Sequence, residues 1–507
     1  MIHQVFQHPI ARAALAAGLL AVPVCRADEA ADARADRRAE TYLCRAMVAA
    51  QGYDPFMPWQ KTRSADRLGY GAVVAPGRVL TTEHLVRNST LIELQLPRSG
   101  RKIPAGVLAV DPQFNLALLN VPNNGLQGIE GALAVAGAAG RRQTVTILQL
   151  DSTQEIQSGK GEIIQVSNEK LPNAPYASLA FTLLTDLNVH GEGAPVIRNG
   201  KLVGLMMSYT QGTRTGKLVP YPVIRRFLDD AMDPPYVGAA TAGFLWAPLV
   251  DPVKRAWLGV PDEGGGVQVL SCIPRSGTAA VLQSNDVILS LGGAKLDPLG
   301  YYQDADFGRL SLSYLIKGRR VPGEMLTAAI VRNGQRMNAP VTLSHLADEE
   351  ALIPENAEGR RPPYLVTGGL FLRELTGRYI RSLGSRWDDI LPASVVQTYL
   401  TRRTAPQEPG DRVVMLSGVL PHPVNVGYQH LGNRVVEKVN GREVRNMADV
   451  FRAVDTAGGL HRVSLRNFGV DLVLDRAVLP QADAEIAASY GIAEPRFEGE
   501  EADRNAP

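Results

Sequence analysis

Cysteine is scarce in this chain, with three in 507 residues: Cys25, Cys44 and Cys272. There is no Cys-x-x-Cys pair and no Cys/His cluster, so the ligand spacing of a metal module is missing and no metal or other cofactor is implied. Cys44 and Cys272 lie far apart, in different expected domains, and no disulfide is expected between them. An excess of one charge is also lacking. Lys+Arg is 53, Asp+Glu is 51 and the net charge is +2, which gives no global basic excess of the kind that binds nucleic acid. Long hydrophobic runs are missing too. The apolar run Ala13 to Val24 is too short to span a bilayer comfortably, and no later stretch is long and apolar enough for a membrane helix.

What is present is an ordinary globular balance, 45% hydrophobic and 21% charged, with 49 glycines and 34 prolines that suit many short strands and turns. At roughly 100–200 residues per domain, the length predicts about three domains. Arg12, the apolar run after it and the small residues of Cys25-Arg26-Ala27 form an export pattern. They predict a signal peptide over 1–27, cleaved near Ala27, and a periplasmic or secreted mature protein; an N-terminal anchor or buried helix is the alternative. Residues 28–41, charged and Ala-rich, read as a flexible leader.

From residue 42 to 232 the pattern is one of short β-like runs: GAVVA (71–75), RVLTT (78–82), TLIELQL (90–96), TVTILQL (144–150) and KLVGLMM (201–207). They are rich in β-branched and apolar residues and punctuated by Gly, Pro and Asn, which predicts an all-β barrel or sandwich closed by a helix at about Val223–Met232. Asp233-Pro234-Pro235 marks a boundary. A second β-rich unit spans 243–346, with expected strands AWLGV (256–260), VQVLSCI (267–273), DVILSLGG (286–293) and LTAAIVR (326–332). Residues 347–363 read as a linker. A third unit spans 364–477, with VVMLSGVL (413–420) and RVVEKVNG (434–441). The phrases DVILSLGG and RVVEKVNG look like one motif used twice. Residues 481–507, charged and poor in apolar residues, read as a tail that is disordered after a short helix.

Several segments resemble the HtrA/Deg family of serine proteases. GYGAVVAPGRVLTTEHLV (69–86) resembles the strand and turn that present the family's catalytic histidine, DPQFNLALLNV (111–121) the strand that carries the triad aspartate, and HGEGAPVIRNGKLVGL (190–205) the nucleophile loop and the strands after it. The segments PWQ (58–60), SLSYLIKGRRVPGE (311–324) and PPYLVTGGLFLREL (362–375) are particularly like the plant-organelle Deg branch. The resemblance covers almost the whole mature chain. It implies a mostly β fold, a trypsin-like double β-barrel followed by two PDZ-like α+β modules, the second divergent.

The resemblance places the triad at His84, Asn115 and Glu192, with Gly193 in the oxyanion loop. A triad needs a hydroxyl nucleophile, an imidazole that takes its proton and an acid that fixes the imidazole tautomer. Only the imidazole is retained. An amide at the acid position favours the wrong tautomer, a change that lowers turnover about 10⁴-fold in trypsin. A carboxylate at the nucleophile position leads to an unpromising mixed anhydride, and serine loss in a related triad lowers turnover about 10⁶-fold. The loop from Asp186 to Glu192 is also shorter than the family pattern. Ser208 or Thr185, with Asp111 or Asp186, would serve a rearranged site only through a shifted register. His84 is then a packed or ion-paired residue, with Glu192 its expected partner.

In the first PDZ-like module, Leu258, Gly259 and Val260 match the loop whose N–H groups capture a peptide carboxylate while the peptide adds a strand to a sheet edge. The alternative is that Leu258 and Val260 are strand core. The insertion between Gly293 and Pro322 is expected to cover or extend the groove. YDPFMPW (53–59) corresponds to a segment that helps HtrA-like subunits trimerise, making Phe56 and Trp59 candidate contacts in a homo-oligomer; a local staple over the barrel's own surface is the alternative. The sequence thus predicts an exported pseudoprotease that holds unfolded polypeptides or protein C-termini, or regulates active relatives by co-assembly. A serine endopeptidase with a rearranged site and a holdase-like chaperone are the alternatives.

Overall fold

The computed structural model describes residues 42–499, apart from 123–124, 127–131, 136–138, 261–263, 357–358 and 457. The expected signal peptide and leader lie outside the described residues. Two antiparallel β-units come first. In the first, seven strands run Lys102–Pro104, Ser89–Gln95, Leu43–Ala50, Ala65–Ala75, Arg78–Thr81, Leu116–Asn120 and Gly106–Asp111 across the sheet. In the second, six strands close into a barrel: Ala177–Thr185, Thr215–Pro220, Lys201–Thr210, Pro195–Arg198, Thr144–Leu150 and Ile156–Lys170. The expected double barrel is thus present as two units, of which the second closes through its hydrogen bonds and the first remains a seven-stranded sheet. Side chains at period 2 turn inward, as in Leu43–Ala50, where Leu43, Cys44, Ala46, Val48 and Ala50 are buried. Burial pushes the Cys44 thiol up to about 12, so it is a packing residue and no nucleophile. The helix Tyr221–Ala231 closes this part, burying Val223, Ile224, Phe227, Leu228 and Ala231 at helical spacing.

The first module is a sheet of Phe244–Pro248, Val267–Cys272, Val287–Leu291, Met325–Arg332 and Gln335–Thr342. Its insertion forms a hairpin and the helix Leu312–Lys317. That insertion turns toward the barrel, with the Phe307 ring 5.7 Å from Phe181 and 6.3 Å from Tyr221. It packs between the barrel and the first module, where the sequence expectation was that it would cover or extend the groove.

The second module is a sheet in the order Asp471–Asp475, Leu460–Leu465, Arg434–Val439, Val414–Val419, Leu370–Glu374, Tyr364–Thr367 and Arg496–Phe497. The tail, expected to be disordered after a short helix, continues past that helix into this last strand. The helix Leu479–Tyr490 buries Leu479, Ala482 and Ile486, and Phe497 pairs with Tyr364. The described residues of the expected linker 347–363 likewise form a structured joint. Glu355 is 2% exposed; its carboxylate pairs with Arg381 and Arg403 and accepts from the Tyr399 hydroxyl at 3.0 Å. Among the described residues no helix is long and apolar enough to cross a membrane.

Candidate functional site

His84 sits in a single helical turn, Glu83–Val86, directly after the strand Arg78–Thr81. Leu85 and Val86 are buried and pin the turn to the core. Glu83, 1% exposed, pairs with Arg87 through Nε at 2.8 Å. Carbonyls at the end of a helix have no partner within it, and Arg67 supplies one, donating to the carbonyls of His84 and Arg87. The imidazole is thereby presented from a fixed backbone.

Asn115 is fully buried with φ +54, a left-handed conformation that asparagine tolerates. Its Oδ1 accepts the backbone N–H of His84 at 2.7 Å, and its Nδ2 faces Met207 Sδ at 3.3 Å. The amide therefore holds the histidine's backbone. The imidazole Nδ1, which an acid would engage in a triad, lies instead 2.7 Å from Glu192 Oε1, and the other carboxylate oxygen accepts from the Thr82 hydroxyl at 2.9 Å. The side chains of His84 and Glu192 are 32% and 15% exposed. The carboxylate of the residue at the nucleophile position thus takes the ring nitrogen that a triad acid would hold.

The loop around Glu192 is zipped to its neighbours. The Tyr70 N–H donates to the Glu192 carbonyl at 2.8 Å, the Gly193 N–H to the Met206 carbonyl at 2.7 Å and the Met206 N–H to the Ala194 carbonyl at 2.9 Å. Gly193, at φ +82, is required there: a Cβ would lie 2.2 Å from the Tyr70 carbonyl oxygen. Its N–H is committed to the framework, so Gly193 shapes the loop without offering an oxyanion donor. In the trypsin template those donors are the N–H groups of the nucleophile and of the residue two before it, here Glu192 and His190. The His190 N–H already donates to Gln149 Oε1 at 3.0 Å, and Gln149 Nε2 donates to the Asn188 carbonyl at 3.0 Å. Sequence reading overlooked Gln149, although a fully buried glutamine in the apolar run TVTILQL signals a polar task.

Three of the residues considered for a rearranged site, Thr185, Asp111 and Asp186, are bonded elsewhere. Thr185 Oγ1 donates to the Lys160 carbonyl at 2.8 Å. Asp111 accepts the Gln113 N–H at 2.8 Å and the Tyr236 hydroxyl, and burial raises its carboxyl above the usual range. Asp186 pairs with Arg214 at 2.6 Å on the exposed surface. Ser208 lies in the strand Lys201–Thr210 opposite Lys217.

The expected strand AWLGV is absent. Asp251 caps a helix Pro252–Trp257, its side chain accepting the Val253 N–H at 2.9 Å. The amides of Leu258, Gly259 and Val260 donate to the carbonyls of Lys254, Ala256 and Arg255 at 3.0, 3.0 and 2.9 Å. The three N–H groups expected to capture a carboxylate are therefore used within the helix end. Leu258 and Val260 are buried with Leu249, Val287 and Val331, and Gly259, at φ +71, lies against Gly334, whose Cα a Cβ would approach to 2.4 Å.

The aromatic segment 53–59 does not lie over the barrel. Trp59 packs 5.0 Å from Phe371 and 5.9 Å from Tyr364, and Phe56 lies 5.6 Å from Tyr379, all in the second module. Arg361 Nε donates to the Pro58 carbonyl at 3.1 Å, and the buried Arg373 donates to the Pro55 carbonyl. Within this chain Trp59 and Phe56 are contacts of an intramolecular strap to the second module, and not a staple on the barrel's own surface.

A trypsin-like peptidase domain model matches residues 69–205, and a PDZ domain model matches residues 353–499. The chloroplastic Protease Do-like 2 of Arabidopsis thaliana is 25% identical over 445 residues, covering 87% of this chain and 72% of that protein. A relative of Pseudomonas putida named "Probable periplasmic serine endoprotease DegP-like" is 26% identical over 346 residues, covering 64% of this chain and 65% of that protein. A solved structure of an HtrA-type protease AlgW variant with a decapeptide superposes with a TM-score of 0.50 at 18% identity, over 62% of this chain and 97% of that one, a likeness of fold.

Proposed function

We propose that this chain, a Deg/HtrA protease homologue that joins a trypsin-like peptidase domain to a PDZ domain, is an exported pseudoprotease that holds polypeptide segments without cutting them. The observation that carries the reading is the 2.7 Å contact between His84 Nδ1 and Glu192 Oε1. A general base must face a hydroxyl it can deprotonate, and here the nucleophile position carries a carboxylate, bonded to the ring's Nδ1, that has no proton to give when ionised and forms a poor acyl intermediate. The second carboxylate oxygen is held by Thr82, and one of the two template oxyanion donors is held by Gln149. Each of these contacts favours the closed arrangement.

The binding role rests on the PDZ homology and on open sheet edges, to which an extended peptide adds as a further strand. The first module's sheet offers Phe244–Pro248 and Gln335–Thr342 as its edges. Capture of a free C-terminus at Leu258–Val260 would require those amides to leave the helix end. The periplasm is the compartment in the name of the DegP-like relative and is proposed for this chain on the export pattern of residues 1–27.

The test is cleavage of a reduced, unfolded protein by three samples: wild type, His84→Ala and Asn115→Asp/Glu192→Ser. A silent wild type is expected. Cleavage by wild type that disappears in His84→Ala would establish a rearranged endopeptidase in its place. Suppression of aggregation with no preference for a free C-terminus would instead favour a holdase.

A further inference from the structure

The last strand, Arg496–Phe497, is two residues long and covers the outer edge of Tyr364–Thr367. An uncovered edge presents N–H and C=O groups on which an extended chain adds itself as a further strand. The segment seated here is gripped at every residue from 494 to 497. The Glu494 carboxylate pairs with Arg361 at 2.6 Å, and the Glu494 carbonyl accepts the Tyr364 hydroxyl at 2.7 Å. The Pro495 carbonyl accepts the Val366 N–H at 2.8 Å. Arg496 makes a two-pronged pair with Asp455 of the helix Met447–Thr456, at 2.7 and 2.9 Å. The Phe497 ring lies 4.0 Å from the Arg361 guanidinium and 6.1 Å from the Tyr364 ring.

The receiving groups come from elements far from the tail in the chain, and they are held without it. Arg361 side-chain exposure is 11%, and its Nε donates to the Pro58 carbonyl of the strap at 3.1 Å. Tyr364 is fully buried in the sheet. The occupant is held more loosely. Only two of its residues pair with the strand, and the side chains of Glu494, Arg496 and Asp455 are 51%, 35% and 52% exposed. Ion pairs this exposed hold weakly, and short elements near a chain end are among the first to open.

The geometry points to a docking site for extended polypeptide segments on the edge of Tyr364–Thr367, with the chain's own tail as its resident occupant. The segment it takes has the order the tail displays, an acidic residue, then a basic one two places on, then an aromatic one. Arg361 reads the acid and the ring, and Asp455 reads the base. The inference rests on the reading that this chain holds extended segments, and it assigns one such site to the second module, beside the strap that Arg361 also holds. A tethered occupant competes at high effective concentration, and apparent affinity falls with the fraction of sites left open.

The probe is a fluorescein-labelled peptide of residues 493–499, Ala-Glu-Pro-Arg-Phe-Glu-Gly, titrated by anisotropy against the full-length chain as wild type and as Arg496→Ala/Phe497→Ala. The variant, whose edge is vacated, is expected to bind about tenfold more tightly than wild type. The same peptide with alanine for its phenylalanine should bind the variant about tenfold more weakly, the loss of an aromatic anchor. Hydrogen exchange gives a second readout. The Val366 amide should exchange faster in the variant and be protected again by the peptide, with the amides of Val414–Val419 unchanged as a check that the module is folded. The inference is overturned if the vacated variant binds the peptide no more tightly than wild type, or if the alanine peptide binds it equally well. Retained binding of a reduced, unfolded protein in that event would leave the holding role standing and remove only this site. A wild-type dimer that the double substitution dissolves would put a second copy's tail on the edge and overturn occupancy by the chain's own.

Discussion

Trp59→Ala should release the strap that ties the barrel to the second module. The indole contacts two rings, Phe371 at 5.0 Å and Tyr364 at 5.9 Å, on a face where both partners are buried. Each aromatic pair contributes about 0.5–1.5 kcal/mol beyond area, and truncating a fully buried tryptophan costs about 3–5 kcal/mol. Trp59 is half-buried, so about 2 kcal/mol is expected, or roughly a 30-fold rise in the open population of the strap. The readout is native-state hydrogen exchange at the strap's own bonded amides, Asp54 and Gln60, which donate to the carbonyls of Gln60 and Met57. They should exchange roughly 30-fold faster, with the amides of Leu116–Asn120 in the barrel unchanged. Unaltered exchange over 53–62 would refute the intramolecular strap. So would a variant that loses an oligomer, seen by sedimentation, while the strap amides stay protected, because Trp59 would then be a subunit contact.

Two further perturbations test the packing around this frame. His461 is 1% exposed, and burial together with Arg476 lowers its pKa to about 4, so it folds neutral and becomes protonated on unfolding below its ordinary value near 6.5. Its contribution is complete above about 6.5 and is lost as pH falls toward 4, amounting to about 3 kcal/mol at most; urea titrations across that window should show a steeper acid loss for wild type than for His461→Gln, and parallel curves would contradict the burial. Gly193→Ala places a Cβ 2.2 Å from the Tyr70 carbonyl oxygen at φ +82, so a destabilisation of about 2–4 kcal/mol is expected; an unchanged unfolding midpoint would show that the loop is seated differently.

The barrel strands were legible because alternation and β-branched content act locally: GAVVA, RVLTT and TVTILQL fall within or on the strands Ala65–Ala75, Arg78–Thr81 and Thr144–Leu150. AWLGV misled because its apolar content suits a strand, whereas Asp251-Pro252 just upstream is a helix start, a capping side chain followed by proline in the first turn. The tail carried a readable stripe, Leu479, Ala482 and Ile486, with Gly491 in the left-handed conformation after it; the two-residue strand beyond has no signal of its own and exists because Tyr364–Thr367 offers an edge. The strap and the Glu355 joint are tertiary. Nothing in YDPFMPW says which surface its rings will meet, and Glu355 looks like any linker carboxylate until Arg381 and Arg403 converge on it.

The closed site also makes its repair non-additive. Asn115→Asp alone puts a carboxylate where the amide already accepts the His84 N–H at 2.7 Å, but the imidazole Nδ1 remains held by Glu192. Glu192→Ser alone supplies a hydroxyl and frees that nitrogen, yet no acid stands ready to fix the tautomer. Residues that act as one unit lose nearly everything when any member is wrong, so each single substitution should be silent even if the pair cuts. The pair would still be handicapped, because the His190 N–H is committed to Gln149. One missing oxyanion donor lowers turnover about 10²–10³-fold, which sets how far the double variant should fall below a complete site. Adding Gln149→Leu, which keeps the buried volume and withdraws the acceptor, should recover part of that deficit. If the triple variant is no faster than the double, His190 is not the second oxyanion donor.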